Sequence, residues 1–126
     1  MTLNHINLVV KDVDKAVSLF TEFLDFSVIV NRNSMMAILE NGPFALVIWG
    51  QVLNQEATIP SYPKNFHIGF YQENEDSVHT IYQKLEGVKG LQFDSKPDKM
   101  RDTFGFYFYF ESIMIEISVN PFKKHS

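Results

Sequence analysis

The sequence predicts an α+β fold made of two βαβββ modules in tandem. Three observations carry that prediction. Segments that alternate apolar and polar residues flank segments of helical periodicity in the order β-α-β-β-β, and the order occurs twice. A shift of 62 residues carries His5 onto His67, Ile6 onto Ile68, Leu8 onto Phe70, Ala16 onto Val78, Leu19 onto Ile81, Phe20 onto Tyr82 and Phe23 onto Leu85. The chain has 126 residues, 45% of them hydrophobic, with 12 Phe and 5 Tyr, which is enough to fill the core of one compact domain.

Taken in order, LNHINLVV alternates as a strand, with Ile6, Leu8 and Val10 on one face and Leu3, His5, Asn7 and Val9 on the other. In KDVDKAVSLFTEFLDF, Val13, Ala16, Val17, Phe20, Phe23 and Leu24 share one face of a helix, with Asp12 as N-cap and Asp14 in the first turn. Extended segments follow over residues 27–32, 34–40 and 44–50, broken at Asn33 and at the turn Asn41-Gly42-Pro43. This first module covers about residues 1–50. Residues 51–63, with two prolines, read as a linker.

The second module covers about 64–120. NFHIGFY alternates, with His67, Gly69 and Tyr71 opposite Phe66, Ile68 and Phe70. Val78, Ile81, Tyr82 and Leu85 define a helix face, and Gly87 is expected at its C-terminus with positive φ. Extended segments are predicted near 91–95, over 104–110 and over 113–119, before a tail at 121–126. KPDKMRDT reads as a loop between the first two.

The composition narrows the function. The net charge of −4 comes with no basic stripe, so no nucleic-acid partner is expected. No apolar run reaches the roughly 18 residues of a membrane span, so no membrane partner is expected. MTLNHINLVV has neither a cationic n-region nor a small-residue cleavage site, so no signal peptide is expected. With no Cys, disulfides, thiolate nucleophiles and Cys-based zinc sites are excluded, and a cytoplasmic setting fits.

Three strands place one metal-capable side chain on their polar face: His5, His67 and Glu116, the last alone in charge on IMIEISV. Two neutral imidazoles and a carboxylate can bind a divalent transition metal and leave positions open for substrate. A lone His on a strand is more often structural, and a lone Glu is more often simply solvated. The repeat favours the metal reading, because two modules paired about a pseudo-twofold axis would bring equivalent strands together. His79, on a helix flank, and His125, in the tail, receive no such support. In FGFYFYF, Gly105, Tyr107 and Tyr109 share a face opposite Phe104, Phe106, Phe108 and Phe110. A tyrosine there can donate to substrate or act as an acid, or can be a core residue with its hydroxyl at the edge. Trp49 and Met36 either line a pocket or fill it.

On these residues the chain resembles the vicinal oxygen chelate superfamily, which includes glyoxalase I, extradiol dioxygenases, fosfomycin-resistance enzymes and bleomycin-resistance proteins. LNHINLVVKDVDKAVSLFTEFLDF is similar to that family's opening module, NFHIGF to its second His-bearing strand, and YFYFESIMIEI to its closing hairpin. The resemblance implies an incomplete barrel around a central cavity, with His5, His67 and Glu116 as metal ligands. It also implies a small-molecule substrate and a homodimer.

The sequence departs from the pattern in three places. FALVIWG has no acid where glyoxalase I-like members have a fourth ligand; Val47 is the expected equivalent. Glu111-Ser112 replaces a longer loop in the closing hairpin. No His lies between His5 and His67, where extradiol enzymes have one. Lys96, Lys99 and Arg101 can meet an anionic substrate, as fosfomycin-resistance-like chemistry requires, or form a solvated surface.

Two functional readings follow. The first is an enzyme with a divalent ion (Mn, Fe, Ni, Zn or Co) on His5, His67 and Glu116. In it Glu116 and Tyr107 are catalytic, and Asn7, Tyr109, Arg101 and Trp49 contact substrate. The second is a metal-free protein that sequesters a flat or aromatic ligand, as bleomycin-resistance proteins do. A third and weaker reading is a ligand-sensing or purely structural repeat domain.

Overall fold

The computed structural model describes residues 1–55 and 61–122. The chain forms two units, Met1–Ser61 and Tyr62–Ser126. Each contains an open sheet with one long helix against it.

In the first unit, β1 (His5–Val10), α1 (Val13–Phe23), β2 (Ser27–Arg32), β3 (Met36–Asn41) and β4 (Phe44–Gly50) follow in order. The sheet order is β1-β4-β3-β2, with β1 parallel to β4 and the other pairs antiparallel. Helix α1 begins where the sequence places it. The Asp12 carboxylate accepts from the Lys15 N–H at 3.0 Å, satisfying one of the amides that a helix start leaves unpaired. Val13, Ala16, Leu19 and Phe20 turn inward from α1. They join Leu8, Val10, Ala37, Leu39, Leu46 and Ile48, all buried. Asn33 and Ser34 adopt left-handed φ of 51° and 59° to reverse the chain between β2 and β3. Strand β2 forms one edge. Its Val28 and Ile29 are exposed, and its pairing with β3 slips between Val28 and Val30.

The segment after β4 differs from the expected linker at its start. Gln51–Asn54 form one helical turn, α2, closed by Gln55, whose N–H bonds back to the carbonyls of Gln51 and Val52. Part of the linker (56–60) and most of the tail (123–126, with His125) lie outside the described residues.

The second unit repeats the plan with β5 (His67–Gln72), α3 (Glu75–Leu85), β6 (Gln92–Phe93), β7 (Asp98–Met100), β8 (Thr103–Phe110) and β9 (Ile113–Val119). The order β5-β9-β8-β6 matches β1-β4-β3-β2 strand for strand, with β7 added on β8. Asn74 caps α3, accepting from the Ser77 N–H at 2.9 Å. Both closing hairpins turn on two residues, since Asn41 pairs with Phe44 and Phe110 with Ile113.

Three local expectations are corrected. The strand near 91–95 shrinks to two residues, and KPDKMRDT carries the short strand β7 within the expected loop. Gly87 does not supply the left-handed residue after α3. Glu86 ends the helix in right-handed geometry, and the positive φ, 91°, belongs to Gly90.

Burial in the second unit is strongly aromatic. Phe106, Phe108, Ile115 and Ile117 are fully buried, together with Val78 and Leu85 of α3. The Tyr82 ring meets Phe93 and Phe106 edge-on at 5.3 and 5.2 Å, the geometry that aromatic quadrupoles favour. These side chains occupy one face of β8 and β9, which leaves the other face for polar residues.

Candidate functional site

That other face is set by register. In the second unit Gly69 of β5 pairs with Glu116 of β9, and Glu116 pairs with Tyr107 of β8. Alternation then puts His67, Glu116, Ser118, Tyr107 and Tyr109 on one side of the sheet. His67 Nε2 stands 3.8 Å from Glu116 Oε1. The His67 side chain is 40% exposed and that of Glu116 is 15% exposed, so the pair is reachable from solvent yet partly dehydrated.

Each partner is held from behind. His67 Nδ1 lies 2.9 Å from the carbonyl oxygen of Asn65, a residue with a left-handed φ of 71°. A carbonyl only accepts, so Nδ1 carries the hydrogen, and Nε2 of the neutral ring presents a lone pair. Ser118 Oγ donates to Glu116 Oε2 at 2.8 Å. Ser118 is fully buried. Tyr107 has its hydroxyl pushed up to about 12, first by hydrogen bonding toward Glu116, then by burial and by the negative charge of Glu116, with Arg101 opposing. Its ring meets His67 edge-on at 5.7 Å. Two lone-pair donors, one nitrogen and one oxygen, therefore sit side by side on a solvent-reachable face of the sheet. That donor chemistry fits a borderline divalent cation.

In the first unit His5 is exposed, and its Nδ1 is 2.7 Å from the side-chain oxygen of Asn4, which leaves Nε2 presented as in His67. Asn7 is exposed and pairs with Val47, which pairs in turn with Ile38. Val47 thus holds the register position that Glu116 holds in the second unit, as the sequence predicts. Ile38 stands where Tyr107 does. Trp49, half-buried and paired with Val9 and Met36, stands where Ser118 does between Tyr71 and Gly105. Among the described residues no group of three or more His, Cys, Asp or Glu side chains is gathered to hold a metal ion.

The other predicted contacts are dispersed within the second unit. The Tyr109 hydroxyl donates to Asp94 Oδ2 at 3.4 Å, and burial followed by the Asp94 charge raises its pKa. Arg101 is exposed and, with Glu75, Lys99, Thr103 and Phe104, lines a cleft of about 590 Å³. His79 lies against Phe104 with ring centroids 5.2 Å apart. Nothing in the sequence marks Ser118 for a role except its position two residues beyond Glu116 on the same strand face.

A model of the Glyoxalase/Bleomycin resistance protein/Dioxygenase superfamily matches residues 2–117. The chain belongs to this superfamily. Among solved structures of glyoxalase-like proteins, it is similar to a possible glyoxalase from Bacillus cereus at 29% identity and TM-score 0.76, over 94% of this chain and 98% of that one. The fold is shared with the genomically encoded fosfomycin resistance protein FosX of Listeria monocytogenes (20% identity, TM-score 0.73, 95% and 93% covered). It is shared also with a lactoylglutathione lyase from Agrobacterium tumefaciens (11% identity, TM-score 0.71, 98% and 97% covered). No protein of curated function matches the chain. The fold class is α+β, with two βαβββ modules in tandem. No helix among the described residues is long and apolar enough to cross a membrane.

Proposed function

We infer that this superfamily member is a divalent-metal-dependent enzyme acting on a small substrate that chelates through neighbouring oxygens. Its ligands are His67 and Glu116, with His5 as the third. The observation that carries the reading is the 3.8 Å approach of His67 Nε2 to Glu116 Oε1. A bound Mn, Fe, Co, Ni or Zn ion supplies polarisation of a substrate oxygen and stabilisation of the negative charge that develops on it. The chain supplies orientation. Asn65 sets the tautomer of His67, and Tyr107 is a neutral hydrogen-bond donor beside the carboxylate. Asn7, Tyr109, Arg101 and Trp49 are the proposed substrate contacts. We propose further that the protein is cytoplasmic, which the absence of Cys supports, and homodimeric, which the family resemblance supports. A small-molecule substrate is supported by the relatives, among them a fosfomycin resistance protein and a lactoylglutathione lyase. The second of these activities is disfavoured, because Val47 leaves no acid at the register position of Glu116 in the first unit.

Protein purified without chelator should bind about one transition-metal ion per chain, and His67→Ala and Glu116→Gln should each weaken binding at least about tenfold. Elemental analysis and metal titration check this. Equal metal content in Glu116→Gln and wild type overturns the reading.

A second reading, sequestration of a flat aromatic ligand without metal, is favoured by the apolar positions Ile38, Val47 and Trp49 of the first unit. Tight binding of such a ligand by metal-stripped protein would support it.

A further inference from the structure

We propose that Ser118 is a positioning residue that holds Glu116 ready to ligate metal; this rests on the metal reading above. A carboxylate turns freely about its last bond, because that torsion is broad and two-fold. Here one oxygen is taken, since Ser118 Oγ donates to Oε2 at 2.8 Å. The remaining oxygen, Oε1, is the one that faces His67 Nε2 at 3.8 Å. Ser118 can hold this arrangement because it cannot move away. It is fully buried, and its strand neighbour Gly105 brings the β8 backbone so close that a Cβ there would lie 2.7 Å from Ser118 Cα and 2.8 Å from its Cβ.

The strand itself does not require this serine. The first unit builds the same ladder with Val47 in the place of Glu116 and Trp49 in the place of Ser118. The carboxylate and its clamp occur together in one unit and are missing together in the other. A buried serine needs only some acceptor, and a nearby backbone carbonyl commonly provides it. In this fold the hydroxyl goes instead to the side chain proposed as a ligand. A carboxylate already fixed in one rotamer gives up less freedom on binding an ion, and partners of this kind commonly change metal affinity 10- to 100-fold.

The test is Co²⁺ titration of the full chain, followed by the visible absorption of the bound ion, in wild type, Ser118→Ala, Ser118→Gly and Glu116→Gln. Thermal unfolding of the metal-free proteins checks folding. Ser118→Ala should fold, bind Co²⁺ about tenfold more weakly and shift the Co²⁺ spectrum, because the orientation of a ligand has changed. Ser118→Gly removes the same hydroxyl and gives the same readout should Ser118→Ala fail to fold. Wild-type affinity and an unchanged spectrum in the folded variants overturn the role of Ser118 and leave the metal reading standing. Absence of Co²⁺ binding by wild type overturns both.

Discussion

Tyr107 and Glu116 stand directly opposite each other on β8 and β9, and the carboxylate pushes the pKa of the phenol up. The pair makes the tyrosine a reporter of the carboxylate. Tyr107 should ionise only near pH 12, above its ordinary 10.0. Replacing Glu116 by Gln removes the negative charge and leaves only a neutral acceptor, so the ionisation should fall back toward 10.0. A near-ultraviolet titration of wild type, Glu116→Gln and Tyr107→Phe reads this directly. The sign for stability follows from linkage. Because the folded value is raised, the contribution of Tyr107 is complete below pH 10.0 and is lost as pH climbs through about 12. With Tyr107→Phe marking the Tyr107 component, the same ionisation in wild type and Glu116→Gln would show that the two side chains do not interact.

Gly105→Ala should destabilise the second unit by about 1–3 kcal/mol. The added Cβ would fall 2.7 Å from Ser118 Cα, and backbone atoms of a paired strand cannot step aside. The urea midpoint measures the loss. A variant as stable as wild type would mean that β8 and β9 are not tightly apposed at Gly105.

Asn65 holds a left-handed φ of 71° while its carbonyl accepts from His67. Asn65→Gly should fold as well as wild type, since glycine enters that region without steric cost. Asn65→Val should cost about 1–2 kcal/mol, since a β-branched side chain resists it. Equal melting temperatures for the two variants would argue against the left-handed geometry.

Asp12 and Asn74 cap the two long helices through equivalent side-chain bonds of 3.0 and 2.9 Å. Asp12→Ala and Asn74→Ala should each cost about 1 kcal/mol, as chemical denaturation can record. No loss in either variant would show that the amides at that helix start are satisfied by water instead.

Much of this architecture is legible in the sequence because strand side chains alternate with period two. Ile6, Leu8 and Val10 had to face one way once His5 and Asn7 faced the other, and the same logic separates Phe106 from Tyr107. The position of Val47 is readable because each closing hairpin turns on two residues, leaving no slack in register. Strand β7 is not readable. Three residues, Asp98–Met100, bear no periodicity, and only pairing with β8 makes them a strand. Gly87 misleads because a glycine after a helix is usually a left-handed stop, whereas here Glu86 finishes the last turn by bonding to the Tyr82 carbonyl. Ser118 is invisible for another reason. A small hydroxyl residue suits many strand positions, and nothing in composition marks the one that bonds to a neighbouring carboxylate.

The slipped pairing of β2 also bears on how the molecule behaves at high concentration. A straight, apolar outer strand such as Ser27–Arg32, with Val28 and Ile29 turned to water, offers a ready template for cross-β growth. The irregularity between Val28 and Val30 breaks the even row of amides and carbonyls that an incoming chain would have to match. Smoothing it by deleting one residue would be expected to turn a self-limiting rim into a seed for fibrils.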